Sequence, residues 1–373
     1  MKLFKWRNLE IERRDQAVTN LFTVLAPVIA IVLSFAVGAV IIALAGANPL
    51  VAYSYLAYGA FGTPRMLAET AVRTVPLLLA GLGLALAYRC GAISIGAEGQ
   101  MVMGGIFAAV VGIYLNAPAW LLLPLTILAG FAGGALWGAI PGLLKAKLGV
   151  SEIINTIMLN YIAIYLMAYL LDIPMREPPG YFPQSAPLQV GARLPVILSG
   201  TRLHAGFLLA LAMAGLVYLI MFRLPLGFRI RAVGFNPHAA RYAGINVERN
   251  IILAMLLSGG LAGLAGVGEV AGVHYRLLAG FSSQYGFDAI AVALLGKLHP
   301  TGVILSAAFF GALRVGANMM QRSVQVPAAV VFVIQGLAVL FVLGNEFLRR
   351  HIVRLVLPAR GAGQAAGTAK GVG

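Results

Sequence analysis

Charge is scarce in this 373-residue chain. Only 10% of its residues are Asp, Glu, Lys or Arg, against roughly a quarter in soluble globular domains. Acids are scarcest, with 12 carboxylates against 27 Lys and Arg. So few ionisable groups cannot cover the surface of a soluble fold of this size. That excludes an ordinary cytosolic enzyme, a disordered chain and a coiled coil. Cysteine is almost missing too: the lone Cys90 excludes an internal disulfide framework and a cysteine-based zinc cluster. No GxxxxGK[ST] occurs, so the chain has no Walker A loop with which to bind ATP. The five His form no HExxH or other metal spacing, and no GxSxG elbow is present, so nothing supports an intramembrane protease or hydrolase. Gly266-Val-Gly-Glu-Val-Ala271 fits a loose dinucleotide pattern, but it lies in an apolar helical run with no preceding strand.

Apolar residues are abundant: 60% of the chain, with mean hydropathy +0.91. A hydrocarbon layer about 30 Å thick takes roughly 20 apolar residues per helix. Candidate spans are Leu21–Ala45, Leu67–Tyr88, Gly99–Leu115, Ala119–Leu143, Ile153–Leu171, Ala205–Phe222 and Ile251–Val273. Phe287–Leu298, Thr301–Met320 and Val326–Leu343 follow. The expected fold is an all-α polytopic membrane protein of about ten transmembrane elements. Its domains are a cytoplasmic N-terminal segment (1–20), one transmembrane domain (21–345), and a cytoplasmic tail (346–373) whose Gly/Ala-rich end should be disordered.

The net charge of +15 raises the possibility of nucleic acid, but cytoplasmic loops also collect bases. With the N-terminus inside, Lys145, Lys147, Arg223, Arg229, Arg231, Arg241, Arg249, Arg349, Arg350 and Arg354 all fall inside. The charge is therefore read as an orientation signal, with no nucleic-acid partner expected. The segment 172–204, which holds six prolines, reads as an external loop, and 223–250 as a cytoplasmic one. Gly130, Gly134, Gly138 and Gly142 recur every four residues, as do Gly259 and Gly263. Such spacing lets helix backbones approach closely.

Two polar interruptions divide apolar runs. Arg89–Gln100 carries Ser94, Gly96, Glu98 and Gln100, and Leu295–Gly302 carries Lys297 and His299. Paired interruptions point to a transport pathway, while tight turns between ordinary spans are the alternative. The first is expected to be a re-entrant or discontinuous helix; the second is open between the two. Arg73, Glu269, Asp288 and Arg314 lie within apolar runs, where ionisable groups face a partner or a cavity. Glu269 or Asp288 can pair with Lys297 or Arg314. The candidate translocation-path residues are Ser94, Gly96, Glu98, Gln100, Glu269, Asp288 and Lys297.

In the loop at 223–250, Asn236 is a good N-cap, Pro237 suits the first helical position, and Gly244 suits the stop. These define a helix of about two turns, too short to be stable unbraced. The pattern Gly-Xaa-Arg-Xaa-Arg-Ala-Val-Gly-Xaa-Asn-Pro-Xaa-Ala-Ala-Xaa-Tyr-Ala-Gly-Ile resembles the coupling segment of ABC importer permeases serving branched-chain amino acids, simple sugars and nucleosides. Ile93-Ser-Ile-Gly-Ala-Glu-Gly-Gln100 resembles the Asn-Ile-Gly-Ala-Glu-Gly-Gln signature of the nucleoside-type permeases, with Ser94 in place of Asn. Arg73–Gly81 and Asp288–Gly302 resemble that group as well.

The resemblance implies a type II ABC importer permease fold in a bacterial cytoplasmic membrane. It implies a second permease subunit, an ABC ATPase with tandem nucleotide-binding domains, and a substrate-binding lipoprotein of the basic membrane protein type. ATP and Mg would sit on the ATPase, with no cofactor in this chain. Coupling to the ATPase is carried onto Gly234, Asn236, Pro237, Ala239, Ala240, Arg241, Tyr242, Ala243 and Gly244. Nucleosides are the expected substrate, followed by simple sugars and branched-chain amino acids. The rival of another class is an ion-coupled secondary transporter in which Glu98 or Glu269 carries a proton.

Overall fold

The computed structural model describes residues 29–180 and 182–356. The N-terminal segment 1–20, the start of the first apolar run and the Gly/Ala-rich end lie outside the described residues. Within them the chain is helical throughout, apart from three isolated β-bridges that involve the segment after residue 172.

The helices are α1 (Ile29–Leu44), α2 (Pro49–Phe61), α3 (Pro64–Arg89), α4 (Ala97–Tyr114), α5 (Ala119–Leu148) and α6 (Glu152–Asp172). After the segment 173–205 come α7 (Gly206–Arg223), α8 (Pro225–Phe235), α9 (Pro237–Tyr242) and α10 (Val247–Val267). A widened π turn, Gly268–His274, extends α10. Then follow α11 (Tyr285–Leu295), α12 (Pro300–Val324) and α13 (Ala329–Val356). Among the described residues seven helices are long and apolar enough to cross a bilayer, and α1 with α2 makes an eighth if that pair, bent by 119°, is one span. The apolar stretches of α11 and α13 are shorter.

Between the first two apolar runs of the sequence the chain forms a further helix, α2. Asn48 caps α2, accepting a bond from the Leu50 N–H at 3.0 Å, and Pro49 opens it. The sharp bend hides α2 from a search for straight 20-residue runs. The tail assigned from residue 346 is helical as far as Val356.

α3 and α10 are almost wholly buried, whereas α5, α6 and α7 leave most of their surface exposed. The glycines explain how α10 is gripped. A Cβ on Gly134 would land on the Gly259 carbonyl oxygen, and one on Gly263 would land on that of Gly130. Across α4, a Cβ on Gly266 would strike the Met101 carbonyl; across α3, one on Gly83 would strike that of Ser258. Hydrocarbon gives helices no hydrophobic reason to associate, so backbone-to-backbone contact supplies the dispersion that holds them.

The segment 173–205 crosses one end of the bundle. Its backbone is tied down where Leu188 N–H meets the Tyr275 carbonyl at 2.8 Å and Leu194 N–H meets that of Ala271 at 2.9 Å. The buried His204 packs against Gly272 of the π turn and accepts a bond from the Gly206 N–H at 3.2 Å. Burial, aided by Arg202, lowers its pKa from 6.5 to about 4.

Gly134→Ala should lower stability by about 1–3 kcal/mol through overpacking, read as the thermal midpoint of the purified protein. Gly215→Ala, where nothing lies within 4 Å, should leave that midpoint unchanged or raise it. His204 gives a pH test. Between pH 6.5 and about 4 the unfolded chain holds a proton that the folded chain refuses, so stability falls as pH drops through that window. His204→Gln should flatten this slope in thermal melts.

Candidate functional site: the break after α3 and the α8–α9 surface

A buried backbone group without a partner costs free energy comparable to a lost hydrogen bond, so a non-helical stretch between helices needs partners of its own. The stretch Cys90–Gly96 between α3 and α4 obtains them from α6. Ile93 N–H donates to Glu152 Oε1 at 3.2 Å, Ile95 N–H to Thr156 Oγ1 at 3.1 Å, and Gly99 N–H to Asn160 Oδ1 at 2.8 Å. Asn160 Nδ2 returns a bond to the Ile95 carbonyl at 2.9 Å. Residues 152, 156 and 160 stand one helical turn apart, so the stretch climbs about 12 Å along α6. The break is thus a non-helical stretch between two helices, each long and apolar enough to be a span of its own, with its backbone bound to α6. Lys145 closes the lower end, bonding both Glu152 and the Gly91 carbonyl.

The four polar or small residues named from this break are all buried. Ser94 Oγ accepts from Gly96 N–H at 3.1 Å, and the Tyr88 hydroxyl donates to the Ser94 carbonyl at 2.8 Å. Glu98 accepts from the Ser282 hydroxyl and, at 2.8 Å, from Gly286 N–H. Gly286 lies so close that a Cβ on it would overlap the Glu98 backbone. Glu98 therefore fastens α4 to the start of α11. Gln100 Oε1 has no partner among the described residues.

The second interruption is a tight turn from Gly296 to His299. Lys297 and Leu298 have φ of 52° and 55°, a left-handed conformation that costs a non-glycine residue free energy. Its Leu298 carbonyl accepts from Arg89 Nε at 3.0 Å, and His299 stacks on Phe222 with ring centroids 4.9 Å apart. Burial, with Arg89 nearby, holds the His299 pKa below its usual value. Of the open ion pairs, Asp288 joins Arg314 at 2.7 Å, while Glu269, fully buried in the π turn, has His274 Nε2 at 3.4 Å. Arg73 joins Glu69 at 3.0 Å, one turn away on α3.

The helix expected from the Asn236 cap is present as α9. Asn236 Oδ1 accepts from the N–H groups of His238 and Ala239, both at 3.0 Å, and Gly244 follows with φ of 77°. The brace it needs is α8, which sequence reasoning missed. The signal for α8 was Pro225 at its first position and Gly227, Ile230 and Val233 on one buried face. Between the two helices lies an open groove of about 530 Å³, lined by Phe228, Ala232, Phe235, Asn236, Ala239 and Ala243 among others. Phe235 and Tyr242 are 86% and 95% exposed, and Phe228 is exposed beside them. Large aromatics left bare on such a surface mark an interaction site.

One contact joins this surface to the break. A Cβ on Gly234 of α8 would land on the Arg89 carbonyl, and one on Gly91 would sit 3.5 Å from the Gly234 Cα. Backbone meets backbone here with no side chain between. Arg231 and Arg89 flank the same Phe222 ring, at 5.2 and 5.7 Å from its centroid.

Residues 66–343 match the family described as the permease component of the branched-chain amino acid transport system. The guanosine ABC transporter permease protein NupP of Bacillus subtilis is 40% identical over 89% of this chain and 96% of its own length. The glucose ABC transporter permease protein TsgB13 of Haloferax volcanii is 38% identical, over 90% of this chain and 91% of its own. A second guanosine ABC transporter permease protein of B. subtilis, NupQ, is 28% identical over 65% of this chain and 80% of its own. No solved structure matches the chain.

Asn160→Leu should orphan both the Gly99 N–H and the Ile95 carbonyl, at a cost of roughly 2–5 kcal/mol. Thr156→Val, which removes one acceptor, should cost about 1–3 kcal/mol. Thermal unfolding of the purified chain reads both, and the larger loss should belong to Asn160→Leu.

Proposed function

This chain belongs to the family of branched-chain amino acid transport system permease components, and from that premise we propose that it is the permease subunit of an ATP-driven nucleoside importer. The observation that carries the reading is the α8–α9 surface, with exposed aromatics on one side and direct backbone contact with the break on the other. The membrane is the bacterial cytoplasmic one, with both termini and α8–α9 inside and residues 173–205 outside. With α11 and α13 counted, the chain has about ten membrane elements. The placement of Lys145, Lys147 and the arginines of residues 223–249 at the α8–α9 end supports this orientation.

An ABC ATPase with tandem nucleotide-binding domains seats α9 against its own surface and holds ATP and Mg. Asn236, Pro237, Ala239, Ala240, Ala243 and Gly244 build the inserted helix. Arg241 and Tyr242 give it charged and aromatic contacts. Closure of the ATPase moves α8, and Gly234 passes the displacement to Arg89 and Gly91 without a compliant side chain. The α3–α4 break then shifts against the Glu152–Thr156–Asn160 ladder, opening the path by alternating access. Ser94, Gly96, Glu98, Gln100, Glu269, Asp288 and Lys297 frame that path and hold its walls in register.

A lipoprotein outside delivers the substrate, and a second permease completes the pore. NupP and NupQ, two guanosine permease proteins of one organism that both resemble this chain, support such pairing. Guanosine in the name of the 40% identical relative supports nucleosides as cargo; glucose in the name of the 38% identical one makes simple sugars the second reading. Proton coupling through Glu98 is disfavoured by its two hydrogen bonds within the fold.

In the assembled complex in proteoliposomes, Arg241→Glu and Gly244→Pro should abolish ATP-driven uptake. Gly234→Ala, which must push α8 off the Arg89 carbonyl, should lower uptake per ATP hydrolysed about tenfold in the complexes that assemble. Normal coupled uptake by Arg241→Glu and Gly244→Pro together would falsify the docking assignment.

A further inference from the structure

A second cavity, of about 170 Å³, opens among α3, α11, α12 and α13. Arg73, Tyr285, Arg314, Asn318 and Phe332 line it. Its depth follows from the helices. Arg73 lies about 24 Å along α3 from Arg89, and Arg314 about 21 Å along α12 from Pro300. Both reference residues stand at the α8–α9 end, so the cavity sits near the opposite mouth, at the end crossed by residues 173–205.

The charges within it are already spoken for. Arg314 gives Nε and Nη2 to Asp288 at 3.1 and 2.7 Å, and Nη2 also reaches the Ser283 carbonyl at 2.9 Å. Arg73 gives Nε to Glu69 at 3.0 Å and Nη1 to the Tyr285 hydroxyl at 2.9 Å. Each guanidinium thus has its own carboxylate, and the lining carries no uncompensated positive charge for an anion to neutralise. Donor capacity remains: the Nη2 hydrogens of Arg73 have no acceptor among the described residues, and the amide of Asn318 is exposed. The Arg314 guanidinium lies 4.1 Å over the Tyr285 ring, which fixes its plane, and Phe332 offers an exposed ring on the α13 side. Fixed donors beside an aromatic wall suit a neutral, planar-ringed ligand rich in acceptors. The volume is below the roughly 300–1,000 Å³ of pockets that enclose a whole ligand, so the cavity grips one end of a molecule and lets go.

We propose that this cavity is the receiving site for substrate at the outer mouth, where Asn318 and Arg73 donate hydrogen bonds to a neutral nucleoside and Phe332 stacks on its base. The proposal rests on the importer reading above and adds a location, contact residues and a charge rule. Affinity stays low because the donors are few and the site is shallow, which a transport step requires.

The test uses thiol labelling of the assembled complex in right-side-out membranes. Cys90, the single thiol of this chain, is buried and stays silent, and labelling is read on this chain after the subunits are separated. Asn318→Cys should react with an impermeant maleimide added from outside, and millimolar adenosine should slow that reaction at least threefold. Adenosine monophosphate should not. Leu198→Cys, in the exposed 173–205 segment, should label at one rate under every condition. Slowing by glucose but not by adenosine would uphold the receiving site and overturn the nucleoside reading. No slowing by either, or equal slowing by adenosine monophosphate, would overturn the site. As a second measurement, Asn318→Leu should lower the uptake rate at saturating adenosine about tenfold, while Leu198→Ala, outside the cavity, should leave it unchanged. Unaltered uptake kinetics would overturn the site as well.

Discussion

Backbone amides that leave a helix and lose water must find a partner within the protein. The stretch from Cys90 to Gly96 finds several of its partners on α6, and much of the architecture follows from that. α6 presents Glu152, Thr156 and Asn160 one turn apart; the first two take N–H groups from the stretch and the third takes one from the first turn of α4. This seats the start of α4, where Glu98 meets Ser282 and Gly286 and ties down the start of α11. α11 in turn sets Tyr285 beneath Arg314 and beside Arg73. The ladder, the buried glutamate and the arginine-lined cavity form one chain of positional consequences.

That arrangement also separates structural polarity from polarity available to a passing solute. Ser94 and Glu98 look like path-lining groups because they sit in a break, yet their hydrogen bonds end on their own chain. The donors with spare capacity belong to Arg73 and Asn318, away from the break. A polar residue at membrane depth is expensive unless it is paired, and pairing is what withdraws it from solute.

The sequence carries the framework in forms that physics makes local. Hydrophobic runs locate the long helices, Asn236-Pro237 announces α9, and the four-residue glycine period marks the α5–α10 seam, because each depends on neighbours within a few turns. The features that stayed hidden depend on the third dimension. α2 escaped notice because the chain bends through 119° before it. α8 was hidden by its arginines, which mask a buried face of Gly227, Ile230 and Val233. Thr156 and Asn160 look incidental in an apolar helix until the strand they serve is placed against them. The choice between Asp288 and Glu269 as the partner of Arg314 turned on how α11 and α12 fold back on each other across the Gly296–His299 turn. The tightness of that turn reflects close approach, since a Cβ on Gly302 would overlap the Gly296 carbonyl.

The seam between α5 and α10 has a mechanical corollary. Side chains that interdigitate can slide from one rotamer set to another, but carbonyls resting on glycine Cα atoms have no alternative setting to move into. A displacement of about half an ångström in one direction is a collision, and in the other it already forfeits roughly a quarter of the attraction. α5 and α10, with α4 clasped to them at Gly104 and Gly266, therefore behave as a single rigid post. Whatever rocks during a transport cycle must rock around that post, through joints made of side chains and bends rather than through the post itself.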